Sequence, residues 1–261
     1  MAAIAFTENA LLNVKRGLSA SFPDSKSSHL TEALAAACGY RTHAALLEAL
    51  GAANEVDPEI LVLDDEAFLR RLYGLQEDPL AADEDFDWFE WLAYPDKSSV
   101  IKTRSGAWYN LTYSTARQRA WRNMMVAAIN AGIEQKLFTV RAADNRWPHA
   151  ADSDGERSTH VFRFSVGDIP ALASVRDIGH DELSIHCAFW PTPNAAYWIS
   201  AYNSEFAAGE AFATGWLERH RGAWLQFNGH PQLNCRKKHL ALLAALQIPA
   251  KCYGDRGDFF S

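Results

Sequence analysis

The sequence predicts an α+β protein, with a small N-terminal helical domain followed by a mixed β-sheet domain with packed helices. Two observations favour this class. Short capped helical patterns fill residues 1–54, and runs rich in β-branched and aromatic residues alternate with helical patterns after residue 97. The chain has 261 residues, of which 48% are hydrophobic and 22% charged, so it is long enough to bury the core of each domain.

Three short helices are predicted in residues 1–54. Each begins near a serine or threonine, whose side chain can accept a hydrogen bond from a free amide of the first turn, and each ends before a glycine. They cover residues 8–16, 30–37 and 43–50, with Thr7, Ser28 and Thr42 as caps and Gly17, Gly39 and Gly51 as stops. Helices this short are marginal in isolation, so they must pack on other elements.

One stretch of the helical region resembles a known module. It is the run Ser-Ser-His-Leu-Thr-Glu-Ala-Leu-Ala-Ala-Ala-Cys-Gly-Tyr-Arg-Thr-His-Ala-Ala-Leu-Leu-Glu-Ala-Leu, residues 27–50, about a tenth of the chain. It is similar to a small helical module of bacterial proteins that precedes glyoxalase-related domains and also occurs in accessory proteins of plasmids and integrative elements. The resemblance implies a bacterial accessory protein. It implies no reaction and no functional residue, because nothing downstream looks like the metal-binding βαβββ repeats of the glyoxalase fold.

The charge pattern divides the chain into three parts. Residues 1–54 are neutral, residues 55–96 carry fourteen acidic side chains against two arginines, a net −12, and residues 97–261 carry a net +5. The predicted domains are therefore a helical head (1–54), an acidic region (55–96) and an α/β body (97–261). In the acidic region, an apolar run at 60–63 precedes a helix over 65–73 that Asp64 caps and Gly74 ends, and an aromatic cluster spans 86–94. This region is an exposed linker, a cover for the basic body, or a surface that imitates nucleic acid.

The body begins near Ser98, and its strongest predicted helix covers residues 116–131. Thr115 and Gln118 have the spacing of a capping box, and apolar side chains recur at three- and four-residue steps. The predicted buried face consists of Trp121, Met124, Met125, Ala128 and Ile129. Strands are predicted at 137–141, 160–166, 183–190, 197–202, 224–227 and 248–253, and further helices at 205–220 and 238–246.

Basic side chains near aromatic residues are the candidate anion-binding and partner-binding groups. They are Lys102, Arg104, Arg119, Arg122, Arg236, Lys237 and Lys238. Cations in the first turns of a helix oppose its macrodipole, which suggests that they are retained for a partner's anions. The alternative is that they pair with the acidic region or only face solvent. Arg117 falls near Trp121 on the helical wheel and is assigned to the edge of the buried face.

Two sets of residues offer weaker chemistry. His230, Cys235, His239 and Cys252 are ligand types that zinc accepts, but their spacing matches no finger or ribbon. Asp96, Glu134 and Lys136 are the residue types of a Pro-Asp…Glu-x-Lys nuclease pattern with an unusually long interval. Buried cysteine, surface histidine and a lysine at a helix C-terminus explain the same residues without a site. We expect no metal and no cofactor.

The sequence favours a binding protein over an enzyme. We expect a bacterial accessory protein, encoded on a plasmid or integrative element, that binds a protein partner or nucleic acid through its charged surfaces. A metal-dependent hydrolase or nuclease is the alternative. The short uncharged start is no signal peptide, no apolar run reaches the roughly 20 residues of a membrane span, and the four cysteines are scattered. These features predict a cytoplasmic protein with reduced thiols and no membrane partner.

Overall fold

A computed structural model describes residues 2–76, 100–102, 113–150, 158–200, 205–220, 222–227 and 230–255. The chain divides into an N-terminal unit, Met1–Thr103, and a C-terminal unit, Arg104–Ser261. The three-part division by charge stays a prediction, although residues 60–76 of the acidic region pair and pack with elements of the N-terminal unit. The aromatic cluster at 86–94, Asp96 and Arg104 lie outside the described residues.

A three-stranded antiparallel sheet opens the N-terminal unit. Strand β1 (Ala2–Ala5) lies between β2 (Ile60–Leu63) and β3 (Val100–Lys102). The sequence pattern did not predict β1, because four small apolar residues carry no alternation. Pairing on both sides satisfies the backbone groups of β1, which is fully buried.

Four helices complete the N-terminal unit: α1 (Glu8–Ser21), α2 (Ser27–Ala37), α3 (His43–Gly51) and α4 (Asp65–Gln76). Thr7, Thr42 and Asp64 cap α1, α3 and α4 as predicted. Ser28 is not a cap, since α2 begins at Ser27 after Lys26 and has no side-chain cap. Two of these helices do not end at the predicted glycine. Helix α1 continues through Gly17, which buries Leu18, and α4 continues through Gly74 to Gln76, whose Nε2 donates to Ser25 Oγ at 2.6 Å.

The C-terminal unit is built on an antiparallel sheet, which confirms the α+β class although the sheet is not mixed. Its strands are β4 (His160–Val166), β5 (Ile169–Gly179), β6 (Glu182–Pro191), β7 (Gly209–Glu218), β8 (Trp224–Gln226) and β9 (Gln232–Cys235). The order is β4-β5-β6-β7-β8, and β9 also pairs with β7. The helices are α5 (Ala116–Glu134), α6 (Ala195–Ser200), α7 (Glu205–Ala208) and α8 (Lys237–Ala245).

Helix α5 covers one face of this sheet. Its capping box and its buried face are both as predicted. Gly215 of β7 allows the close approach, because a Cβ there would lie 3.0 Å from both Met125 Cε and Trp121 Cζ2. On the neighbouring strand, Cys187 Sγ lies 3.9 Å from Met125 Sδ. Alternate residues of β6 and β7 therefore face α5, and the residues between them face the other way.

Two predicted elements between β6 and β8 were wrong. Residues 197–200 belong to helix α6, where Ala195 and Ile199, one turn apart, pack on the sheet. Residues 209–218 form strand β7 rather than a helix. Alanine and glutamate favour a helix by propensity, but Ala211, Ala213, Gly215 and Leu217 alternate with larger residues, and this period of two decides the structure.

Two further predicted strands are not formed. Residues 137–141 contribute only an isolated bridge between Phe138 and Asn145. Residues 248–253 are held by a buried side chain instead of a neighbouring strand. Asn130 Nδ2 donates to the Pro249 carbonyl at 2.9 Å, and Asn130 Oδ1 accepts from the Lys251 amide at 3.1 Å. None of the described helices combines the length and apolar character that crossing a bilayer requires.

Candidate functional site

The sheet face opposite α5 carries a row of polar side chains. His186 on β6 pairs with Ser174 on β5 and with Thr214 on β7, and Thr214 pairs with Gln232 on β9. Because directly paired residues point to the same side of a sheet, these four side chains form one row across four strands. We call it the polar row.

Helices α6 and α7 cover part of this face. Ala195, Ile199 and Ala208 pack there in one apolar cluster with Leu172, Ala188 and Phe212. Ser174 Oγ donates to the Ile199 carbonyl at 3.0 Å, which closes that end of the polar row. The uncovered part is a cleft of about 790 Å³. It is lined by Arg117, His186, Glu205, Phe212, Thr214, Trp216, His230, Pro231, Gln232, Leu233 and Asn234.

The buried His186 ring lies at the floor of the cleft. Its Nδ1 is 2.9 Å from Thr214 Oγ1, its Nε2 is 3.3 Å from Ser184 Oγ, and its plane is nearly parallel to that of Phe212. Burial lowers the pKa of His186 to about 4. The ring is therefore neutral at neutral pH, with one nitrogen a donor and the other an acceptor, and it orients the two hydroxyls beside it.

The start of α5 and strand β9 form a wall of the cleft. The Arg117 guanidinium donates to the Leu233 carbonyl, which fixes it beside β9. Gln232 and Asn234 are on the cleft side of β9, opposite Thr214 and Phe212 of β7. The cleft thus offers two amides and a hydroxyl, each able to donate and accept hydrogen bonds, together with the Arg117 guanidinium and the Glu205 carboxylate.

The arrangement suits binding better than nucleophilic catalysis. Ser184 and His186 have the residue types of a nucleophile and its base, but Ser184 is only 1% exposed, so its hydroxyl is shielded from a ligand. The cleft is instead concave and mixes aromatic surface with a few fixed polar groups, as ligand-binding sites do.

A carboxylate pair lies on the same sheet face, at the end nearest the β5–β6 turn. Gln226 Nε2 donates to Glu182 Oε1 at 2.6 Å and to Glu218 Oε2 at 3.4 Å. Burial, followed by the nearby charge of Glu218, raises the pKa of Glu182. The amide occupies the space between the two carboxylates, so they form a closed polar network.

Three of the exposed residues predicted to bind anions in the C-terminal unit have no described ion pair. Arg119 donates to the carbonyls of Tyr113 and Ser114 at 3.2 and 2.7 Å. The Arg236 guanidinium lies 4.5 Å from the centre of the Phe206 ring. Within the part of the chain that is described, Arg119, Arg236 and Lys237 have no carboxylate partner. Their charges remain available to an external anion.

Two other predicted anion-binding residues are engaged within the chain. Arg122 forms an ion pair with Asp255 at 2.9 Å and also donates to the Ile248 carbonyl at 2.5 Å, and its side chain is 16% exposed. Lys238 Nζ lies 2.5 Å from Glu210 Oε2, and this hydrogen bond, with a second from His239, lowers the pKa of Glu210. Lys102 ends β3, and its side chain is not described.

The candidate zinc ligands are not brought together. Among the described residues, no group of three or more His, Cys, Asp or Glu side chains is placed to hold a metal ion. His230 lines the cleft, whereas His239 stacks on Trp190 with ring centres 3.7 Å apart. The Cys235 thiol donates to the Arg236 carbonyl, and burial raises its pKa. Cys252 lies in the segment held by Asn130.

The candidate nuclease residues are only partly described. Glu134 ends α5, and its carboxylate lies 2.5 Å from Lys251 Nζ. Lys136 follows in a left-handed backbone conformation with a φ of 56°. Asp96 lies outside the described residues, so the nuclease hypothesis stays a prediction. Among the described contacts, none brings another carboxylate next to that of Glu134.

Most of the cleft was not predicted. Arg117 was assigned to the edge of the buried face, and His186 was considered only with Cys187, its neighbour on the opposite face of β6. The alternation in residues 209–218 is the signal that was available, because it places Phe212, Thr214 and Trp216 on one side of a strand. Comparisons of the chain with protein-family models, curated proteins and solved structures find no match.

Proposed function

We propose that this chain is a binding protein whose C-terminal unit binds nucleic acid. One observation carries the proposal: Arg117 lines a polar cleft beside β9, and the exposed residues Arg236 and Lys237 follow where β9 leads into α8. None of the three has a carboxylate partner within the described residues. Cations beside a cleft that have no described carboxylate partner favour an anionic ligand.

The positions of these cations suit a phosphate backbone. Arg117 is close enough to β9 for its charge to lower the pKa of Cys235, against the larger raising effect of burial. Arg236 follows Cys235 directly, and Lys237 begins α8. Arg117 on the cleft wall and the two cations that follow β9 are separate positive charges near one strand, and charges spaced in this way match an extended polyanion better than a compact anion.

The distribution of charge along the chain also indicates that the C-terminal unit is the part that binds nucleic acid. The C-terminal unit has seventeen basic and fourteen acidic residues, a net +3, whereas the N-terminal unit has eight basic and eighteen acidic residues, a net −10. The amides of Gln232 and Asn234 add groups that can pair with base edges. The resemblance of residues 27–50 supports an accessory role in bacteria, on a plasmid or integrative element.

The test is the salt dependence of oligonucleotide binding. Fluorescence anisotropy with a labelled oligonucleotide of about 20 nucleotides would measure the affinity of the full chain over a salt series. We expect the affinity to fall steeply with salt. Replacing Arg236 or Lys237 by glutamine is expected to weaken binding several-fold and to reduce the logarithmic salt slope by about 1 for each phosphate that the variant no longer neutralises.

Arg141→Gln is the matched control, because Arg141 is an exposed arginine of the same unit near Asp144, away from β9. It removes one charge without touching the cleft. If Arg141→Gln weakened binding as much as Arg236→Gln, or if the affinity did not depend on salt, the cleft would not be the phosphate-binding surface. Failure to bind any DNA or RNA would overturn the proposal in favour of a protein partner.

A further inference from the structure

Three aromatic side chains are exposed on the helices beside the cleft. Tyr197 is 73% exposed and Trp198 39% exposed on α6, and Phe206 is 37% exposed on α7. Tyr197 and Trp198 contact each other edge to face, with ring centres 5.2 Å apart. Each of these residues is large enough that leaving it exposed forgoes a substantial burial free energy, so a group of three is a candidate contact surface.

These aromatics lie on the same side of the sheet as the cleft. The buried residues Ile199 and Ala208 anchor α6 and α7 to the sheet face that carries the polar row. Glu205 lines the cleft, and Phe206 is the next residue along α7. The Arg236 guanidinium over the Phe206 ring connects this aromatic group to the cations of β9 and α8.

We propose that Tyr197, Trp198 and Phe206 form a stacking platform for unpaired bases, so that the ligand of the C-terminal unit is single-stranded nucleic acid. This inference rests on the proposed function. Base–aromatic stacking contributes about 1–3 kcal/mol per base and tolerates any sequence, since every base has a π-face. In a duplex those faces are covered by neighbouring bases, so an aromatic ring cannot stack on them.

The surroundings favour bases over a protein partner. Aromatic anchors of protein interfaces are enclosed by a ring of residues that exclude water. Here the exposed polar residue Asn194 precedes α6, and the exposed Ser200 ends it. The other described neighbours of the platform are the polar cleft, Glu205 before Phe206, and Arg236, which has no carboxylate partner among the residues described. Aromatic rings interleaved with cations along a groove are the arrangement that binds single strands.

The experiment compares a labelled single strand with a duplex of the same sequence, using the full chain. We expect the single strand to bind at least tenfold more tightly. Tyr197→Ala and Trp198→Ala should each weaken single-strand binding by about 5-fold to 150-fold, the range that corresponds to the removal of one stacked ring, and should leave the salt slope and duplex binding unchanged.

Two further variants separate stacking from general surface effects. Tyr197→Phe keeps the ring and is expected to bind like the unchanged chain. Leu242→Ala removes a non-aromatic side chain of similar exposure from α8 and should have no effect on binding. Both positions are on the surface, so that neither change is expected to alter folding.

The outcomes distinguish this inference from the function on which it rests. Equal affinity for single strand and duplex, with a retained salt slope and no effect of Trp198→Ala, would overturn the stacking platform and leave nucleic-acid binding in place. An equal loss for Tyr197→Phe and Tyr197→Ala would also overturn it. No binding of either form would overturn both proposals.

Discussion

His186 makes the stability of the C-terminal unit depend on pH. Its pKa in the folded chain is about 4, whereas a histidine in the unfolded chain titrates near 6.5. Between these values the unfolded state binds the proton and the folded state does not. The free energy of unfolding therefore falls as pH drops from about 6.5 to about 4, and the full effect is about 3 kcal/mol.

Urea unfolding of the unchanged chain and of His186→Gln between about pH 7 and pH 5 measures this contribution. The variant loses hydrogen bonds at every pH, so the relevant quantity is the change with pH and not the absolute stability. We expect the unchanged chain to lose more stability than the variant as the pH falls. Parallel curves for the two proteins would show that His186 is not the titrating group.

The three arginines at the start of α5 show what a sequence reveals about single residues. Their presence and their place in the first turns were evident. Their contacts were not, because the partner of Arg122 is Asp255, 133 positions further along, and that of Arg117 is the Leu233 carbonyl, 116 positions along. A helical wheel gives the direction of a side chain from the axis but not what other segments place there.

At the scale of single helices, replacing glycine by alanine is expected to have opposite effects on stability at two positions. In α5, an alanine Cβ at Gly132 would lie 2.3 Å from Phe138 Cε1, so Gly132→Ala forces the buried Phe138 ring out of its place. We expect destabilisation of about 1–3 kcal/mol. In α4, a Cβ at Gly74 meets nothing within 4 Å. Gly74→Ala is expected to stabilise the chain by about 0.5–1 kcal/mol, since alanine loses less backbone freedom in a helix.

Chemical unfolding of both variants checks the pair, and each serves as the control for the other. Their opposite signs exclude a general effect of added methyl groups. Stabilisation by Gly132→Ala would mean that Phe138 does not pack against α5 as described. The same contact explains why α5 continues through Gly132 to Glu134, past the predicted end at residue 131, because the ring packs against the last turn of the helix.

Elements with complete local signals could be predicted, and the others could not. The capping box of α5 involves neighbours in sequence, and β4 and β6 have the β-branched and aromatic residues of buried strands. Strand β7 was misassigned because the propensity of alanine outweighed its period of two. Helix α6 was misassigned because Tyr197 and Trp198 resemble strand residues, although they point to solvent and Ile199 is the buried one.

At the scale of the whole molecule, the cleft could not be predicted from the sequence, because its lining comes from five separate segments of the chain. These are the start of α5, β6, α7, β7 and the segment that leads into and includes β9.

Each of the two units has its own buried thiol, which can report on the opening of that unit. Cys38 belongs to the core of the N-terminal unit, and Cys187 faces α5 in the C-terminal unit. Burial raises the pKa of Cys38 to about 12 and raises that of Cys187 further.

Thiol labelling in urea should therefore detect the opening of each unit separately. In a chain carrying Cys235→Ser and Cys252→Ser, only these two buried thiols remain. Each reacts only when its own core opens, because the buried thiol is both shielded and protonated. We expect two labelling rates with different urea dependence, and Gly132→Ala should accelerate only the rate of Cys187, since α5 covers that residue. A single rate for both thiols at every urea concentration would mean that the two cores open as one cooperative unit.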